Sequence, residues 1–499
     1  MSDPLNSSLT RTWLIEGRAR PDHQPEFLDF LKLGAMEQNF GSVNPIFNPS
    51  KDKYGAFVQA GSFRDEIERP TTSMVGHYAR ALKSRMLSLA MAGCAFDLQL
   101  HIGQCQDPSI FNDFEKIVIF EGVFLESYST DDVGALEPGE QGKVDETGEV
   151  SADRMYEFKP LNLAARNPTG SILTNQLLDV IICDSSSCGD CADESDGCQK
   201  IMAITTSAGG SPTTPADVVF SLDGGQTWAA HDIDTLATGE APSAIACVGS
   251  YVVVVSNASG SQHVALISEF DGVADPAFAE VTTGYVVGGE PNDIWSLGGF
   301  AYIVGDRGYI YKTTAPATEV VVIDAGAATI SNLNRVHAIS ETFAVAVGDD
   351  GVIVRVESEL ASLLATSPIG IGTNFSSVWA KTETEWFVGS AAGVLYRTLD
   401  AGATWAIVPL SGTQTDITEI QMSSKSVMYV SATVGGKGEV YVSVDGGQSF
   451  ERTPRGAAGA MPANDEITAL AVCPFDVDFF VGVGLAADGV DGFIVIGSD

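Results

Sequence analysis

Beyond about residue 200 the chain alternates short apolar runs with glycine-rich polar breaks, as in Asp217–Phe220, Tyr251–Val255 and Val440–Val442. Runs of this length bounded by turn residues read as buried or half-buried strands. The breaks recur. A Gly-x-x-Gly signature ahead of a β-type run stands at Gly305–Gly308, Gly348–Gly351 and Gly435–Gly438, with a one-residue-longer form at Gly389–Gly393. The second glycines fall at 308, 351, 393 and 438, and Ala216, Gly260 and Gly492 precede equivalent runs.

Seven units at a period of about 40–50 residues fit four-stranded blades stacked around an axis. The fold class expected is therefore mainly β: a seven-bladed β-propeller over residues 156–499, preceded by a different domain over 1–155. The final unit reaches only its third strand at Ser498-Asp499. An unpaired edge is a liability, so Met155–Leu163 is expected to supply that unit's fourth strand.

Residues 1–155 lack the repeat. Phe96–Ile102 alternates strictly, with apolar residues at 96, 98, 100 and 102, and reads as a half-buried strand with His101 on its solvated face. Lys116–Tyr128 reads as a longer strand bent at Gly122; Thr10–Ala19 and Tyr54–Phe63 read as two more. A helix is predicted between them, capped by Thr71, Thr72 or Ser73, with Val75, Ala79, Leu82, Met86, Leu89 and Ala90 as its apolar stripe and Gly93 as its end. Val133–Arg154 is rich in glycine and acids and reads as a long loop. Four strands around one helix suit a small β-sandwich or barrel.

Three octets share one pattern: Ser221–Trp228 (SLDGGQTW), Thr398–Trp405 (TLDAGATW) and Ser443–Phe450 (SVDGGQSF). In each, an aspartate (Asp223, Asp400, Asp445) can accept backbone N–H groups across a turn. A glycine (Gly225, Gly402, Gly447) supplies positive φ, and an aromatic residue (Trp228, Trp405, Phe450) packs between sheets. The octet resembles the Asp-box (BNR) repeat of β-propeller proteins, where it is a structural turn; the resemblance implies fold and says little of chemistry.

Composition narrows the function. Lys and Arg number 27 against 65 Asp and Glu, a net charge of −38. That opposes binding to nucleic-acid phosphates or anionic lipid. The charge is uneven: residues 1–92 carry 11 basic and 10 acidic residues, so the acid excess lies beyond them. No apolar run approaches a membrane span, and MSDPLNSSLTRTW has no secretory pattern, so a cytosolic site of synthesis and no membrane partner are expected.

Cys183, Cys188, Cys191 and Cys198 are spaced C-x4-C-x2-C-x6-C. Several readings stay open: a four-thiolate structural zinc site, two disulfides, an iron–sulfur run, or free thiols. No other cofactor is expected. Cys94, Cys105, Cys247 and Cys473 adjoin apolar runs and read as buried small hydrophobes. No catalytic motif appears: there is no HExxH, GxSxG, Walker loop or GxGxxG fingerprint. Asp boxes are familiar from sialidases, but Arg166, Arg307, Arg335, Arg355, Arg397, Arg452 and Arg455 do not read as an arginine triad, and the Arg-Ile-Pro start motif is missing. No enzyme is expected. Trp228, Trp295, Trp379, Trp386 and Trp405 are candidates for contact with host glycans, with Trp228 and Trp405 assigned rather to blade cores.

Phe96–Leu136, with Pro70–Cys94 ahead of it, resembles bacteriophage virion proteins of the tail-tube type in strand–helix–strand order, over about residues 1–155. The resemblance implies a self-assembling structural protein forming stacked rings, hexameric in that family, in a virion tail put together in the host cytoplasm. Its partners would be copies of itself and other tail proteins, with DNA passing through an acidic lumen unbound. A propeller would then sit outside as decoration or host contact, on a non-contractile tail. Segments 74–91, 131–150 and the strand edges near 54–63 would carry assembly. The alternative is a non-catalytic carbohydrate-binding or adhesive propeller.

Overall fold

The computed structural model describes residues 9–15, 26–27, 32–33, 43–51, 57–64, 71–78, 95–103, 114–130, 144–159, 161–165, 175–182, 198–206, 217–233, 241–249, 251–257, 264–267, 278–281, 289–315, 319–364, 367–368, 372–454, 465–473, 476–486, 488 and 491–498. The chain divides into two compact units, residues 1–159 and 160–499. Among the described residues no helix is long and apolar enough to cross a membrane.

The first unit is built from β1 (Leu9–Ile15), β2 (Glu26–Phe27), β3 (Lys32–Leu33), β4 (Val43–Lys51), β5 (Phe57–Arg64), β6 (Thr71–Tyr78), β7 (Phe96–Gly103), β8 (Phe114–Thr130), β9 (Val144–Ser151) and β10 (Arg154–Phe158). Eight of these form one sheet in the order β2-β1-β7-β8-β9-β6-β3, with β10 also on β8, while β4 and β5 pair with each other. Its core gathers Phe96, Leu98, Leu100, Val118, Phe120, Val123 and Val150. The alternation in β7 is real, yet Gln99 on the opposite face is also buried.

The bend expected at Gly122 marks a change of partner. Ahead of it Ile117–Glu121 pairs with β10; after it Phe124–Thr130 pairs with β9. Gly122 has φ +64°, donates its N–H to Asp97 Oδ1 at 2.8 Å, and leaves no room for a Cβ against Asp153. Glycine is the residue that meets both demands.

Two expectations for this unit are corrected. Thr71–Tyr78 is strand β6, paired over its whole length with β9, and not the capped start of a helix. Threonine, valine and tyrosine fit a pleated surface better than a helix, and a partner strand is at hand. The rest of the proposed helix, 79–93, lies outside the described residues. Residues 144–154, expected as the end of the 133–154 loop, form β9 and the start of β10; the acids of β9 sit on a strand whose Gly148 and Val150 are buried while Glu149 is exposed.

The second unit holds seven four-stranded antiparallel sheets. Their first strands are Leu177–Ile182, Ala241–Val248, Pro291–Leu297, Leu333–Ser340, Phe375–Ala380, Gln414–Met422 and Glu466–Val472. Each first strand packs against that of the next sheet, and the seventh packs against the first. The seventh sheet takes its fourth strand from β11 (Asn162–Ala165), which pairs with Gly492–Ser498. The segment expected to do this, Met155–Leu163, is split: Met155–Phe158 belongs to β10 in the first unit, and only its end reaches the seventh sheet. First and seventh sheets share a core of Leu177, Ile201, Trp228, Ala469, Val481 and Ile494.

Candidate functional site

The Gly-x-x-Gly turns at 305–308 and 348–351 each close on two residues with positive φ, Arg307 and Gly308 (54° and 74°), Asp350 and Gly351 (56° and 72°). The carboxylates Asp306 and Asp349 accept the side-chain amides of Asn292 and Asn334, which ties each turn to its sheet's first strand.

The three octets take one turn geometry. In the third, Asp445 Oδ1 accepts the backbone N–H groups of Gln448 and Ser449 and the Ser443 hydroxyl, while Oδ2 accepts the Ser449 hydroxyl. Asp223 and Asp400 repeat these bonds with Thr227 and Thr404. The first residue of the octet also acts: Ser221, Thr398 and Ser443 accept the N–H of Gly225, Gly402 and Gly447. Those glycines have φ of 82°, 84° and 87°. A Cβ on them would strike Ile496, Leu364 and Phe387, side chains of the preceding sheet. The octet is thus a seam between sheets. Asp445 is 3% exposed, so Asp445→Ala strands two partly buried N–H groups and the buried Ser443 hydroxyl and is expected to cost about 2–3 kcal/mol in urea unfolding. Asp400→Ala, at an exposed turn where water can substitute, should cost clearly less; equal losses would refute this account.

The cysteine readings are corrected. Cys198 is bonded to Cys473, 275 residues away, with a Cα–Cα distance of 5.7 Å. A four-thiolate site at Cys183, Cys188, Cys191 and Cys198 is therefore not formed, nor does Cys198 pair within its cluster. Cys247 is also in a disulfide, so neither it nor Cys473 is a free buried thiol. Cys94, Cys105, Cys183, Cys188 and Cys191 lie outside the described residues. Among the described residues no group of three metal-ligating side chains comes together.

Arg166 and Arg455 lie outside the described residues, and among the described residues the arginines do not converge. Arg355 pairs with Glu357 at 3.3 Å and Arg397 with Glu385 at 2.6 Å, each within its own sheet. Of the indoles, Trp228 and Trp386 are buried, the half-buried Trp405 packs on Trp386, and the half-buried Trp295 and Trp379 face each other edge-on at 5.1 Å.

What the sequence reading missed is the hub where the seven first strands meet. Every first strand carries a β-bulge at the same place. The extra residues include Ser243, Asn292, Asn334, Ser376 and Thr468. Their side chains donate to the carbonyls of Pro291, Leu333, Phe375, Ile417 and Leu177, in each case the residue just ahead of the next sheet's bulge. A bulge bends its strand and re-aims the next side chain. Here those next residues include Asp179, Asp293, Arg335 and Glu419.

These four form a charge cluster in which Asp293 and Glu419 are buried and Asp179 and Arg335 half-buried. Arg335 Nε lies 3.6 Å from Glu419 Oε2, and their side chains are 29% and 12% exposed. Asp179 Oδ2 accepts Ile245 N–H at 3.0 Å and Asp293 Oδ2 accepts Val336 N–H at 2.8 Å, so each aspartate holds the next sheet's first strand. One guanidinium cannot neutralise three carboxylates out of water. Burial, reinforced by Asp293 and Asp179, pushes Glu419 up to about 8 against the pull of Arg335. Burial and Asp293 raise Asp179 to about 6. Burial also opposes the charge on Arg335, but Asp293, Glu419 and Asp179 together hold it above its ordinary value.

Two residues along the strands, His337 lies between Trp295 and Trp379, with ring centroids 4.4 and 3.9 Å away. Its Nδ1 accepts Ala380 N–H at 3.2 Å, which puts the proton of the neutral ring on Nε2. Burial alone pushes His337 down to about 3. The hub therefore offers a proton-holding carboxyl beside a guanidinium, roofed by an aromatic stack.

No family model and no curated protein matches the chain. Solved structures do. YCF48 from Cyanidioschyzon merolae is 14% identical at a TM-score of 0.49, covering 68% of this chain and 99% of that one. YCF48 bound to D1 peptide is 15% identical at 0.47, covering 68% and 98%. The WD40 β-propeller domain of Doa1 is 10% identical at 0.48, covering 68% and 97%.

Proposed function

We propose that the chain is a structural protein that polymerises through its first unit, and that its seven sheets are the blades of one closed propeller carrying Asp-box turns. The observation that carries the assembly reading is the state of the large sheet's borders. Among the described residues, β1 is covered by β2 only at Trp13 and Leu14, and β6 by β3 only at Lys32 and Leu33. Strands of seven and eight residues left so short of partners are templates for pairing with another copy. In this reading copies join edge to edge into rings, six per ring by the tail-tube analogy, and rings stack into a non-contractile virion tube assembled in the host cytoplasm. The propeller stands outside, and other tail proteins cap the stack.

A lumen that lets DNA pass would use exposed acids such as Glu126 and Glu149; Glu121 is excluded, being fully buried against Tyr156. The glycan-binding alternative would have to use the half-buried Trp295, Trp379 and Trp405, since Trp228 and Trp386 are buried. Negative-stain microscopy of the purified full chain during concentration tests the proposal. Rings or tubes with outward knobs are expected. A protein that stays monomeric in sedimentation at every concentration would overturn it.

A further inference from the structure

The outer strands of three consecutive sheets, the third to the fifth, expose large apolar side chains: Val321 (58%), Leu360 (72%), Leu363 (50%) and Ile407 (66%), with Ile330 (84%) in the loop after the third sheet. They are not scattered. Val321 alternates with Val320 and Val322, which pack into the seam between the second and third sheets, so it faces the fourth. Leu363 shares its face of Leu360–Leu363 with Ala361, which packs into the seam between the third and fourth sheets. The outer strand of the third sheet, Val320–Ala325, touches Leu360–Leu363. Ile330 follows Ala328, which lies in the same seam. On the far side Leu360 shares its face with Leu364, and Ile407 stands opposite Tyr396; both neighbours pack into the seam between the fourth and fifth sheets. Leu360–Leu363 is an edge strand, with one partner in its sheet.

Two further features mark this rim. The turn that presents Leu360 is left-handed at two residues that are not glycine, Ser358 (φ 48°) and Glu359 (φ 67°). Such a turn is strained for these side chains, and the Ser358 N–H to the Thr342 carbonyl (2.8 Å) anchors it. The rim is also acidic. Glu341, Glu357 and Glu359 are 61%, 54% and 62% exposed, and Glu319 is exposed as well. Among the described residues, Lys312, itself nearly buried, and Arg355 are the cations paired with them. A second copy of the same acidic rim would be repelled.

We propose that the rim of the third to fifth sheets is a docking surface for an extended segment of another protein in which apolar residues alternate with lysine or arginine. The segment adds as a further strand along Leu360–Leu363, its apolar side chains entering the seams beside Val321 and Ile407 and its cations meeting Glu341, Glu357 and Glu359. Main-chain bonds supply pairing, and the alternate pockets supply selectivity.

Fluorescence anisotropy of the full chain with three short synthetic peptides tests this. The peptides alternate valine with lysine, valine with glutamate, and serine with lysine. Saturable binding is expected for valine–lysine alone. The double variant Leu360→Ser/Leu363→Ser, with unchanged circular dichroism, should weaken it by about tenfold or more. Equal binding of serine–lysine would reduce the effect to bulk charge and overturn the proposal. So would absence of saturable binding, or indifference to the double variant. Self-association abolished by the double variant would overturn it in favour of a contact between copies.

Discussion

Cys473→Ser is expected to produce the largest single loss of stability in the second unit. The Cys198–Cys473 bond joins the first sheet to the seventh, and both cysteines are nearly or wholly buried. It thus adds a covalent tie where the series closes, a seam the chain itself crosses only through β11, which is held to the seventh sheet by hydrogen bonds alone. Among the described residues the closure is otherwise held by β11 pairing with Gly492–Ser498, by the Thr468 hydroxyl on the Leu177 carbonyl and by the shared core. Cross-linking across 275 residues removes chain entropy from the unfolded state, and for so long a loop the cost of deleting the link is up to about 5 kcal/mol. Serine can still accept the Asp476 N–H that now points at the Cys473 sulfur at 3.1 Å, so the loss isolates the cross-link. Guanidinium unfolding of the variant, beside wild type with and without a dithiol reductant, checks this. Fully reduced wild type that unfolds at the oxidised midpoint would refute it.

The sequence exposes the period of the second unit, because turns need glycine at fixed φ and those glycines recur. It exposes the octets for the same reason. It hides the hub, although the signal is there: Asn292, Asn334, Ser376 and Thr418 recur every 42 residues, a stricter register than that of the turn glycines. Each is followed by a different side chain, Asp293, Arg335, Ser377 or Glu419, so the residues that make the charge cluster do not look like a repeat. A bulge leaves no mark on composition; it becomes visible only when strands pair. The disulfide was illegible for a related reason. Cys473 follows an apolar run like any core cysteine, and only closing the series brings it to Cys198. The misread start of the predicted helix, Thr71–Tyr78, shows the converse. The apolar spacing through Val75, Ala79 and Leu82 satisfies a helical period, but β9 was hidden in a segment that composition marks as loop, and without that partner the strand could not be seen.

Arg335→Met should destabilise the second unit by about 3–5 kcal/mol at neutral and alkaline pH, because it leaves buried carboxylates without a counter-charge. The pH dependence carries the sign of the hub. Glu419 titrates at about 8 in the folded chain against 4.5 ordinarily, and Asp179 at about 6 against 3.8. A carboxyl whose folded value is raised contributes stability that is complete below its ordinary value and is lost as pH rises through the folded one. The wild-type hub therefore weakens between about pH 4 and about pH 8. His337 opposes it on the acid side: its folded value of about 3 against 6.5 means its contribution is lost as pH falls below 6.5. Removing Arg335 takes away the guanidinium that, beside the backbone N–H groups of Ile245 and Ile420, holds these carboxyls down, so their folded values climb and the decline with pH steepens. Urea unfolding at about pH 5 and about pH 8.5 should then show a larger penalty at the higher pH. Glu419→Gln placed on Arg335→Met should recover part of it there, since a neutral side-chain amide needs no counter-charge. A penalty equal at both pH values, with no recovery in the double variant, would mean that Arg335 acts through packing and that the hub holds no proton.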